Sequence, residues 1–371
     1  MHHDQRRPNV LEVDLGAVEH YVGKIRDYVG RSVKIFAALK CRAYGLGLSE
    51  VAHAASKGGT DGTAVVDREN AIELRENNVA GPIIVYPGSV LNEAAGPVLQ
   101  RYDLTPTLID LAEARALSRS LTRPIPVAVK IDLGQERLGF VAEQAAAAIV
   151  DIGQMPNLRV ALVNSHPNVP KGDGPEYRAW QMKRLQAVLD QLKMAGVPRP
   201  TTLIASSRLL AQTDALKFDA IDPGQMLFGP LCAEGDVPWP TTRRALHALR
   251  SRIVHVKQID RREFIDSAPF PIRAGMRIGV IPMGSADGIE TAHCGYVLAK
   301  GRRAPLIAAS LEHTRIDITD IPEATVGDEV VLIGAQGDER ILPDDVVKAR
   351  NLARLADISI GLRASVSRVY F

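Results

Sequence analysis

The sequence predicts an α/β protein in which an N-terminal (β/α)8 barrel precedes a mostly-β C-terminal domain. Short apolar runs alternate with segments of helical period, which is the pattern of repeated βα units and a parallel sheet. Eight such runs fall within the first 240 residues, close to the usual size of such a barrel. After about residue 245, strand-like pieces follow one another through turn-rich sequence. We therefore expect the barrel in residues 10–240, and the β-rich domain in residues 241–371 with an N-terminal strand from residues 1–14.

The candidate elements follow one another in a regular order. The barrel strands are predicted at VKIFAALK (33–40), TAVV (63–66), PIIVYPG (82–88), TPTLI (105–109), PVAVKIDL (126–133), VALVNSH (160–166), TTLIASS (201–207) and AIDPGQMLFG (220–229). Helix-like segments such as LSEVAHAASKG and AEQAAAAIVDIG lie between them. An open doubly wound sheet is the alternative, but no GxGxxG follows the first strand, so its dinucleotide-binding version is unsupported. In the second domain the candidate strands are SRIVHVKQI, MRIGVIPMG, GYVLAKGRRAPLIAAS, RIDITDI and DEVVLIGAQGD.

The composition, with 46% hydrophobic and 24% charged residues, is that of an ordinary globular enzyme. A net charge of +2 gives no reason to expect a nucleic-acid partner. The three cysteines form no CxxC pair, and we find no residue spacing that is specific for a metal site. The N-terminus has no apolar signal core, and no run approaches the ~20 apolar residues that span a bilayer. We expect a cytoplasmic protein with no membrane partner.

Polar side chains gather where the predicted barrel strands end. In chain order they are Lys40, Lys130, Asp132, Arg137, His166, Ser206, Ser207 and Asp222, followed by the turn glycine Gly224. Because the chemistry of a (β/α)8 barrel sits at the carboxyl ends of its strands, together they indicate an anionic, amine-reactive site. Each alone also has a structural interpretation: Lys40 as a snorkelling surface lysine and His166 as a satisfied histidine.

Several motifs then resemble those of the alanine racemase family, over nearly the whole chain. ALKCRAYGLG resembles the family's pyridoxal-phosphate lysine motif, VKIDLGQERLGF its lysine–aspartate–arginine strand, NSHPN its histidine strand end and IASS its phosphate-binding serine segment. RIGVIPMGSADGI and SLEHTRIDITDI resemble two signatures of the second domain. The resemblance implies pyridoxal 5′-phosphate as cofactor, an amino acid as substrate, and a homodimer in which each site is completed by the partner's second domain.

The resemblance also implies roles for individual residues. Lys40 forms the Schiff base with the cofactor aldehyde, and His166 lies near the cofactor ring. Arg137 holds the ring hydroxyl and the substrate carboxylate side. The phosphate partners are Tyr44, Ser206, Ser207 and the backbone N–H groups around Gly224 and Gln225. Lys130 matches a lysine that the family carries in carbamylated form in some members, and its state in this chain stays open.

The chain departs from the family where the second proton carrier stands. Phe270 occupies the position of the catalytic tyrosine, and Ser285 in GSADG occupies that of a second active-site tyrosine. Phenylalanine has no ionisable proton, and the chain has no tyrosine between Tyr177 and Tyr296. Ile360 stands where the family has a phosphate-binding tyrosine.

Asp222 is a further departure, because the family places an arginine against the pyridine nitrogen of the cofactor at this position. An acid there favours a protonated pyridinium, since a nearby opposite charge stabilises the cation. A pyridinium is the stronger electron sink, used by decarboxylases, aldolases and transaminases and avoided by the family's racemases. The alternative is that Asp222 only caps the loop before Pro223.

Leu311 and Glu312 stand where a methionine–aspartate pair contacts the substrate carboxylate in the family. Glu312 and the neighbouring His313 are either replacement proton carriers or surface residues. Three further candidates, His293, Cys294 and Tyr296, lie in the segment AHCGY.

These observations leave three hypotheses. The first is a pyridoxal-phosphate enzyme that forms a Cα carbanion on one face, with decarboxylation, retro-aldol cleavage or transamination as the reaction. The second is an amino-acid racemase with a replacement proton donor, and the third is a non-catalytic pyridoxal-phosphate-binding protein. The substrate is not identified by the sequence.

Overall fold

The computed structural model describes most of the chain. The described residues are 7–88, 91–167, 174–205, 207–212, 219–229, 239, 243–261, 263, 265–290 and 293–371. They form two compact units. The barrel unit comprises Val18–Ala43 and Leu48–Thr242, and the β-rich unit comprises Met1–Ala17, Tyr44–Gly47 and Arg243–Phe371. No helix in the described part of the chain is long and apolar enough to cross a membrane.

The secondary structure alternates strands and helices before about residue 240 and is strand-rich afterwards. The earlier strands are β1 (Val10–Val13), β2 (Lys34–Ala38), β3 (Gly62–Val65), β4 (Ile83–Val85), β5 (Leu104–Leu108), β6 (Ile125–Asp132), β7 (Phe140–Val141), β8 (Leu158–Asn164), β9 (Thr201–Ala205) and β10 (Ala220–Ile221). The later strands are β11 (Leu246–Arg252), β12 (His255–Gln258), β13 (Arg277–Ile281), β14 (Tyr296–Ala299), β15 (Arg302–Ala309), β16 (Thr314–Asp317), β17 (Glu329–Gln336), β18 (Glu339–Ile341) and β19 (Ser367–Tyr370). The helices are α1 (Leu15–Val29), α2 (Leu48–Gly58), α3 (Arg68–Glu76), α4 (Ala95–Arg101), α5 (Leu111–Ser120), α6 (Ala142–Gly153), α7 (Gly174–Met194), α8 (Ser207–Gln212), α9 (Pro343–Arg350) and α10 (Ala356–Ile360).

The barrel unit is a closed parallel barrel, which confirms the predicted fold class. Its strands pair in the order β2-β3-β4-β5-β6-β8-β9-β10, and β10 returns to β2 to close the circle. All these pairings are parallel. The strands are apolar on both faces because the helices cover the outside and the side chains fill the inside.

Side chains fill the interior of the barrel, so it is a packed core and not a pore. The interior cluster consists of Phe36, Ala64, Ile84, Tyr86, Ala128, Leu162, Leu203 and Ala220. The chemistry of the unit is therefore confined to the ends of the strands. Tyr86, directly after β4, is the only phenol in this cluster of described residues.

The β-rich unit contains one extended sheet. Its strands follow the order β12-β13-β16-β15-β14-β17-β11-β1-β19, and β18 pairs with β17. The N-terminal strand β1 pairs antiparallel with β11 and parallel with β19. The predicted mostly-β C-terminal part is thus confirmed.

The largest differences between predicted and observed strands are one early end and two divisions. GYVLAKGRRAPLIAAS, predicted as one strand, is divided into β14 and β15 by a turn at Lys300 and Gly301. The eighth barrel strand, predicted over residues 220–229, ends at Ile221, and a 3-10 turn over Gln225–Phe228 follows. Pro223 lacks the N–H group that a continuing ladder needs. SRIVHVKQI, predicted as one strand, falls across two strands, β11 and β12, because the chain leaves the sheet at Ile253 and Val254.

Candidate active site

Lys40 lies at the carboxyl end of β2, at the start of an unusual left-handed turn. Cys41, Arg42 and Ala43 have φ values of 50°, 56° and 56°, although none of them is glycine. Left-handed backbone costs an L-residue about 1–2 kcal/mol, and such strain persists mainly where function fixes the chain. The guanidinium of Arg42 donates to both carboxylate oxygens of Glu73, at 2.7 and 2.8 Å, which holds the turn from outside.

Asp222 and Tyr86 form a buried pair in the barrel unit. The Tyr86 hydroxyl donates to Oδ2 of Asp222 at 2.5 Å. The other carboxylate oxygen, Oδ1, is buried and has no hydrogen-bond partner among the described residues. Burial raises the pKa of Asp222, whereas Lys40, the Tyr86 hydroxyl and Lys130 act in the opposite direction. Oδ2 is therefore held by the tyrosine, and Oδ1 can accept a hydrogen bond from a further donor.

Lys130 on β6 pairs with Asn164 on β8, its register neighbour. Its Nζ donates to Oδ1 of Asn164 at 2.6 Å, while the amide nitrogen Nδ2 of Asn164 is buried without a partner among the described residues. Burial lowers the pKa of Lys130 to about 8, opposed by Asp222 and reinforced by Lys40 and Arg137. Lys130 is thus a lysine whose charge is only moderately favoured near neutral pH.

His166 lies two residues beyond β8 and is largely buried. Burial lowers the pKa of its imidazole to about 3, and the cations Lys40, Lys130 and Arg137 reinforce that effect. The ring is therefore neutral at pH 7, so it does not act there as a proton donor of the imidazolium type.

We expect His166 to remain uncharged well into the acid range. Because its folded pKa of about 3 lies below the ordinary histidine pKa of 6.5, the unfolded chain binds the extra proton, and stability falls as pH drops from about 6.5 toward 3. In ¹⁵N-labelled protein the His166 ring resonances should keep their neutral pattern at pH 5.5. Urea unfolding at pH 7 and pH 5 should show that His166→Gln loses up to about 2 kcal/mol less stability than the wild type over that interval. An imidazolium signal from His166 at pH 5.5 would contradict this expectation.

The turn that carries Arg137 is organised by Asp132. Burial alone raises the pKa of Asp132, but four backbone N–H donors from residues 134–137 outweigh it and lower the pKa. Oδ2 accepts from the Arg137 backbone at 2.8 Å, and the Arg137 side chain is exposed. Gly139 has φ 119°, and a Cβ there would lie 2.8 Å from Cγ of Lys130, which explains the glycine in RLGF.

Backbone donors converge on the hydroxyl of Ser207. The N–H groups of Gly224 and Met226 donate to its Oγ at 3.0 and 3.3 Å. The serine oxygen therefore accepts both bonds, and its own O–H is the donor that can be directed at a phosphate oxygen. Gln225 begins the 3-10 turn between the two donors, and Ser206 lies outside the described residues.

Tyr44 groups with the β-rich unit. It is 9% exposed and has φ 56°. The following carbonyl, of Gly45, accepts from Nε of Arg368 at 3.1 Å. Gly45 has φ 79°, and a Cβ there would lie 2.2 Å from the Ser359 carbonyl oxygen, so only glycine fits. Ile360, the next residue, is 40% exposed.

Phe270 and Ser285, which replace the two family tyrosines, have different surroundings in the β-rich unit. Phe270 packs against the apolar cluster that contains Met276 and Ile278, and the Arg315 guanidinium lies 4.4 Å from its ring centre. Ser285 is exposed at the start of a 3-10 turn. Neither residue supplies a phenol.

Glu312 is held by two arginines of the same unit. It pairs closely with Arg7, and Nη1 of Arg363 lies 3.2 Å from Oε1. These contacts lower the pKa of Glu312, so the group is a carboxylate at neutral pH and has no proton to donate. Leu311 is 71% exposed, and His313 is exposed as well.

The AHCGY segment places its polar groups in local contacts. Nε2 of His293 lies 2.8 Å from the Leu332 carbonyl oxygen, and burial lowers the pKa of its ring to about 4. The Cys294 thiol donates to the Tyr296 carbonyl at 3.1 Å, and burial raises the pKa of that thiol.

Tyr86 and Asn164 contact Asp222 and Lys130, two residues predicted for the site, but were not themselves among the predicted residues. Tyr86 stands at the end of the apolar run PIIVYPG, where its hydroxyl is not visible as a polar strand end. An aromatic residue with a polar tip at a barrel strand's carboxyl end is the signal that identifies it. Asn164 directly precedes the strand-end pair Ser165–His166, and the same rule would have included it.

Comparisons with known proteins identify the family of the chain. Residues 13–231 match the family model described as alanine racemase, N-terminal domain, and residues 246–370 match the alanine racemase C-terminal domain. An alanine racemase of Thermodesulfovibrio yellowstonii is 32% identical over 347 residues, covering 91% of each chain. Alanine racemase 2 of Caldanaerobacter subterraneus is 28% identical over 99% of this chain and 96% of its own. The crystal structure of alanine racemase from E. faecalis aligns with a TM-score of 0.87 and 26% identity over 100% of both chains.

Proposed function

The chain belongs to the alanine racemase family, and from that premise we propose that it is a pyridoxal 5′-phosphate enzyme that labilises one bond at Cα of an amino acid. The feature that sets it apart is Asp222, which we assign to the ring nitrogen of the cofactor. The single observation that carries this assignment is a buried carboxylate whose Oδ2 is held by Tyr86 and whose Oδ1 has no hydrogen-bond partner in the part of the chain that the structure describes.

The residues of the barrel unit fit this cofactor. A buried carboxylate oxygen without a partner calls for a donor, and a protonated ring nitrogen is a donor with one N–H group. The Ser207 hydroxyl, whose oxygen is held by the N–H groups of Gly224 and Met226, offers its O–H to a phosphate oxygen. Lys40, at the end of β2, offers a primary amine for the cofactor aldehyde.

When bound, pyridoxal 5′-phosphate supplies an electron sink for the electron pair left at Cα as one of its bonds breaks. Lys40 holds the cofactor and then moves the proton at Cα on its own face. Asp222 keeps a proton at the ring nitrogen by its negative charge. His166, neutral because of burial and three cations, adds no charge to compete with that proton.

The second face has no assigned proton carrier. The position of the family's catalytic tyrosine is Phe270, and the chain has no tyrosine between Tyr177 and Tyr296. Glu312 is paired with two arginines, and its lowered pKa disfavours a role as proton donor. Chemistry on one face, such as decarboxylation, retro-aldol cleavage or transamination, is therefore our preferred function.

A racemase with a replacement donor is the second candidate, favoured by the names of the relatives. Its donor would come from Glu312, His313 or Cys294. Substituting each of these in turn should abolish two-face exchange in one variant if this candidate holds.

An exchange experiment in deuterated water separates the two candidates. With L-alanine and a panel of larger L-amino acids, we expect deuterium at Cα only with retention of configuration, together with carbon dioxide, an aldehyde or a keto acid from the preferred substrate. Chiral chromatography with mass detection measures the enantiomers, and enzyme reduced with borohydride serves as the inactive control. Equal initial rates of formation of both deuterated enantiomers would defeat the one-face proposal.

We also propose a homodimer as the working state, because each family site is completed by a partner subunit. Sedimentation of the full chain at micromolar concentration should give about twice the 40.2 kDa mass of one chain. A monomer that is active under the same conditions would contradict it.

A further inference from the structure

Tyr86 links two strand ends that are not neighbours in the barrel. It follows β4, whereas Asp222 follows β10, and β2 and β3 lie between those strands. Its hydroxyl nevertheless reaches Oδ2 of Asp222 at 2.5 Å. Its ring also lies beside the amine of Lys40, with Nζ 5.6 Å from the ring centre. One side chain thus contacts both the acid and the lysine of the site.

Asp222 is buried, so the ionised form of its carboxyl group depends on a small number of neighbouring groups. The carboxyl is 6% exposed, and an isolated buried carboxylate is strongly disfavoured relative to its neutral acid. The groups that favour the charged form are Lys40, the Tyr86 hydroxyl, Lys130 and the backbone N–H of Asp222 itself. Lys130 itself is already engaged with Asn164. Once Lys40 carries the cofactor, it no longer offers a free ammonium, and the Tyr86 hydroxyl still donates a hydrogen bond to the carboxylate.

The hydroxyl also fixes which carboxylate oxygen is available. Because Oδ2 accepts from Tyr86, the carboxylate is held against rotation, and Oδ1 is the oxygen left for a donor. A phenylalanine at position 86 would fill the same apolar cluster, which includes Ile84 and Ala128, so packing alone does not require the hydroxyl.

We propose that Tyr86 is a positioning residue for the cofactor chemistry: it orients Asp222 and keeps its carboxylate ionised, so that Oδ1 retains the proton on the ring nitrogen. This inference rests on the proposed function, in which Asp222 faces that nitrogen. A substitution of Tyr86 should therefore change the protonation of the ring nitrogen while Asp222 and Lys40 stay in the protein.

The test compares Tyr86→Phe, Asp222→Asn and a matched control, Tyr102→Phe. Tyr102 donates its hydroxyl to Glu76 at 3.0 Å on the protein surface, so its variant loses an equivalent bond away from the site. Each full-length protein is loaded with ring-¹⁵N pyridoxal 5′-phosphate, and the ¹⁵N chemical shift reports the protonation of the ring nitrogen. In the cofactor-free chains, ¹³C NMR of labelled aspartate follows the titration of Asp222, identified by its absence in Asp222→Asn.

We expect Tyr86→Phe to favour the neutral acid of Asp222 by about tenfold or more, since it loses a hydrogen bond to a charged group. Its ring ¹⁵N signal should move toward that of an unprotonated pyridine, while Tyr102→Phe matches the wild type. A wild-type ¹⁵N signal in Tyr86→Phe with an altered signal in Asp222→Asn would overturn the inference and leave the proposed function intact. Unaltered signals in both variants would overturn the two together.

Discussion

Replacing Lys40 by alanine should lower kcat/KM by about 10⁴-fold or more. The amine has two roles in our account, as the group that holds the cofactor aldehyde and as the only assigned base at Cα. Loss of a positioned general base alone typically costs 10²–10⁴-fold, and loss of the covalent anchor adds to that. Steady-state kinetics on the best substrate of the panel measures the loss.

The control is Lys34→Ala, a lysine of the strand that precedes Lys40. Lys34 begins β2 with its side chain exposed, so its removal should leave kcat/KM within about twofold. Borohydride reduction followed by peptide mass analysis should label the peptide that contains Lys40 in the wild type and in Lys34→Ala. A reduced cofactor adduct on another lysine of the wild type, or turnover by Lys40→Ala above one per cent, would contradict the assignment.

Asp222→Asn should lower kcat by about 10²–10³-fold while the protein still binds the cofactor. The amide occupies nearly the same volume as the carboxyl but carries no negative charge, so the ring nitrogen loses the group that keeps it protonated. Removing one preorganised electrostatic partner typically has an effect of this size on kcat. Stopped-flow kinetics gives the rate of the first bond-breaking step, and equilibrium dialysis gives cofactor affinity.

Asp151→Asn is a suitable control for the loss of one aspartate charge. Asp151 is exposed on α6, and its variant should keep the wild-type kcat. If Asp222→Asn retains more than about a third of the wild-type kcat, catalysis does not depend on this acid keeping the ring nitrogen protonated. Retained kcat with weakened cofactor affinity would assign Asp222 to binding and would likewise contradict its electronic role.

The barrel was predictable because its strands are buried on both faces. Such strands appear as continuous apolar runs, and TAVV or PIIVYPG overlap the observed β3 and β4 with small shifts at the ends. Lys40, His166 and Asp222 lie within two residues of the ends of β2, β8 and β10, where the sequence placed them. Their roles in a site stay predictions. The predicted eighth strand was too long, although Pro223, which lacks the N–H group of a continuing ladder, is visible in the sequence.

Contacts made across the barrel were not predictable from local patterns. The pairing of Tyr86 with Asp222 joins residues 136 positions apart, and no feature of PIIVYPG shows where its hydroxyl points. The left-handed turn at Cys41–Ala43 likewise contains no glycine at the positions with positive φ. Tertiary contacts fix both features, and residue type alone carries no signal for them.

The environment of Glu312 illustrates the same limit in the β-rich unit. The sequence offers it as a titratable group, but its arginine partners are Arg7 and Arg363, distant along the chain. Only the folded unit brings the two arginines to Glu312, and their charges lower the pKa of its carboxyl group. In contrast, the sequence alone shows that position 270 is a phenylalanine, which has no phenol group.

The central claim is that the carboxylate of Asp222 keeps the cofactor ring nitrogen protonated. The most direct measurement is the ring ¹⁵N chemical shift of the wild-type enzyme loaded with labelled cofactor, recorded between pH 6 and pH 8. Our account predicts the pyridinium value throughout this range. The value of a neutral pyridine across the same range would contradict it.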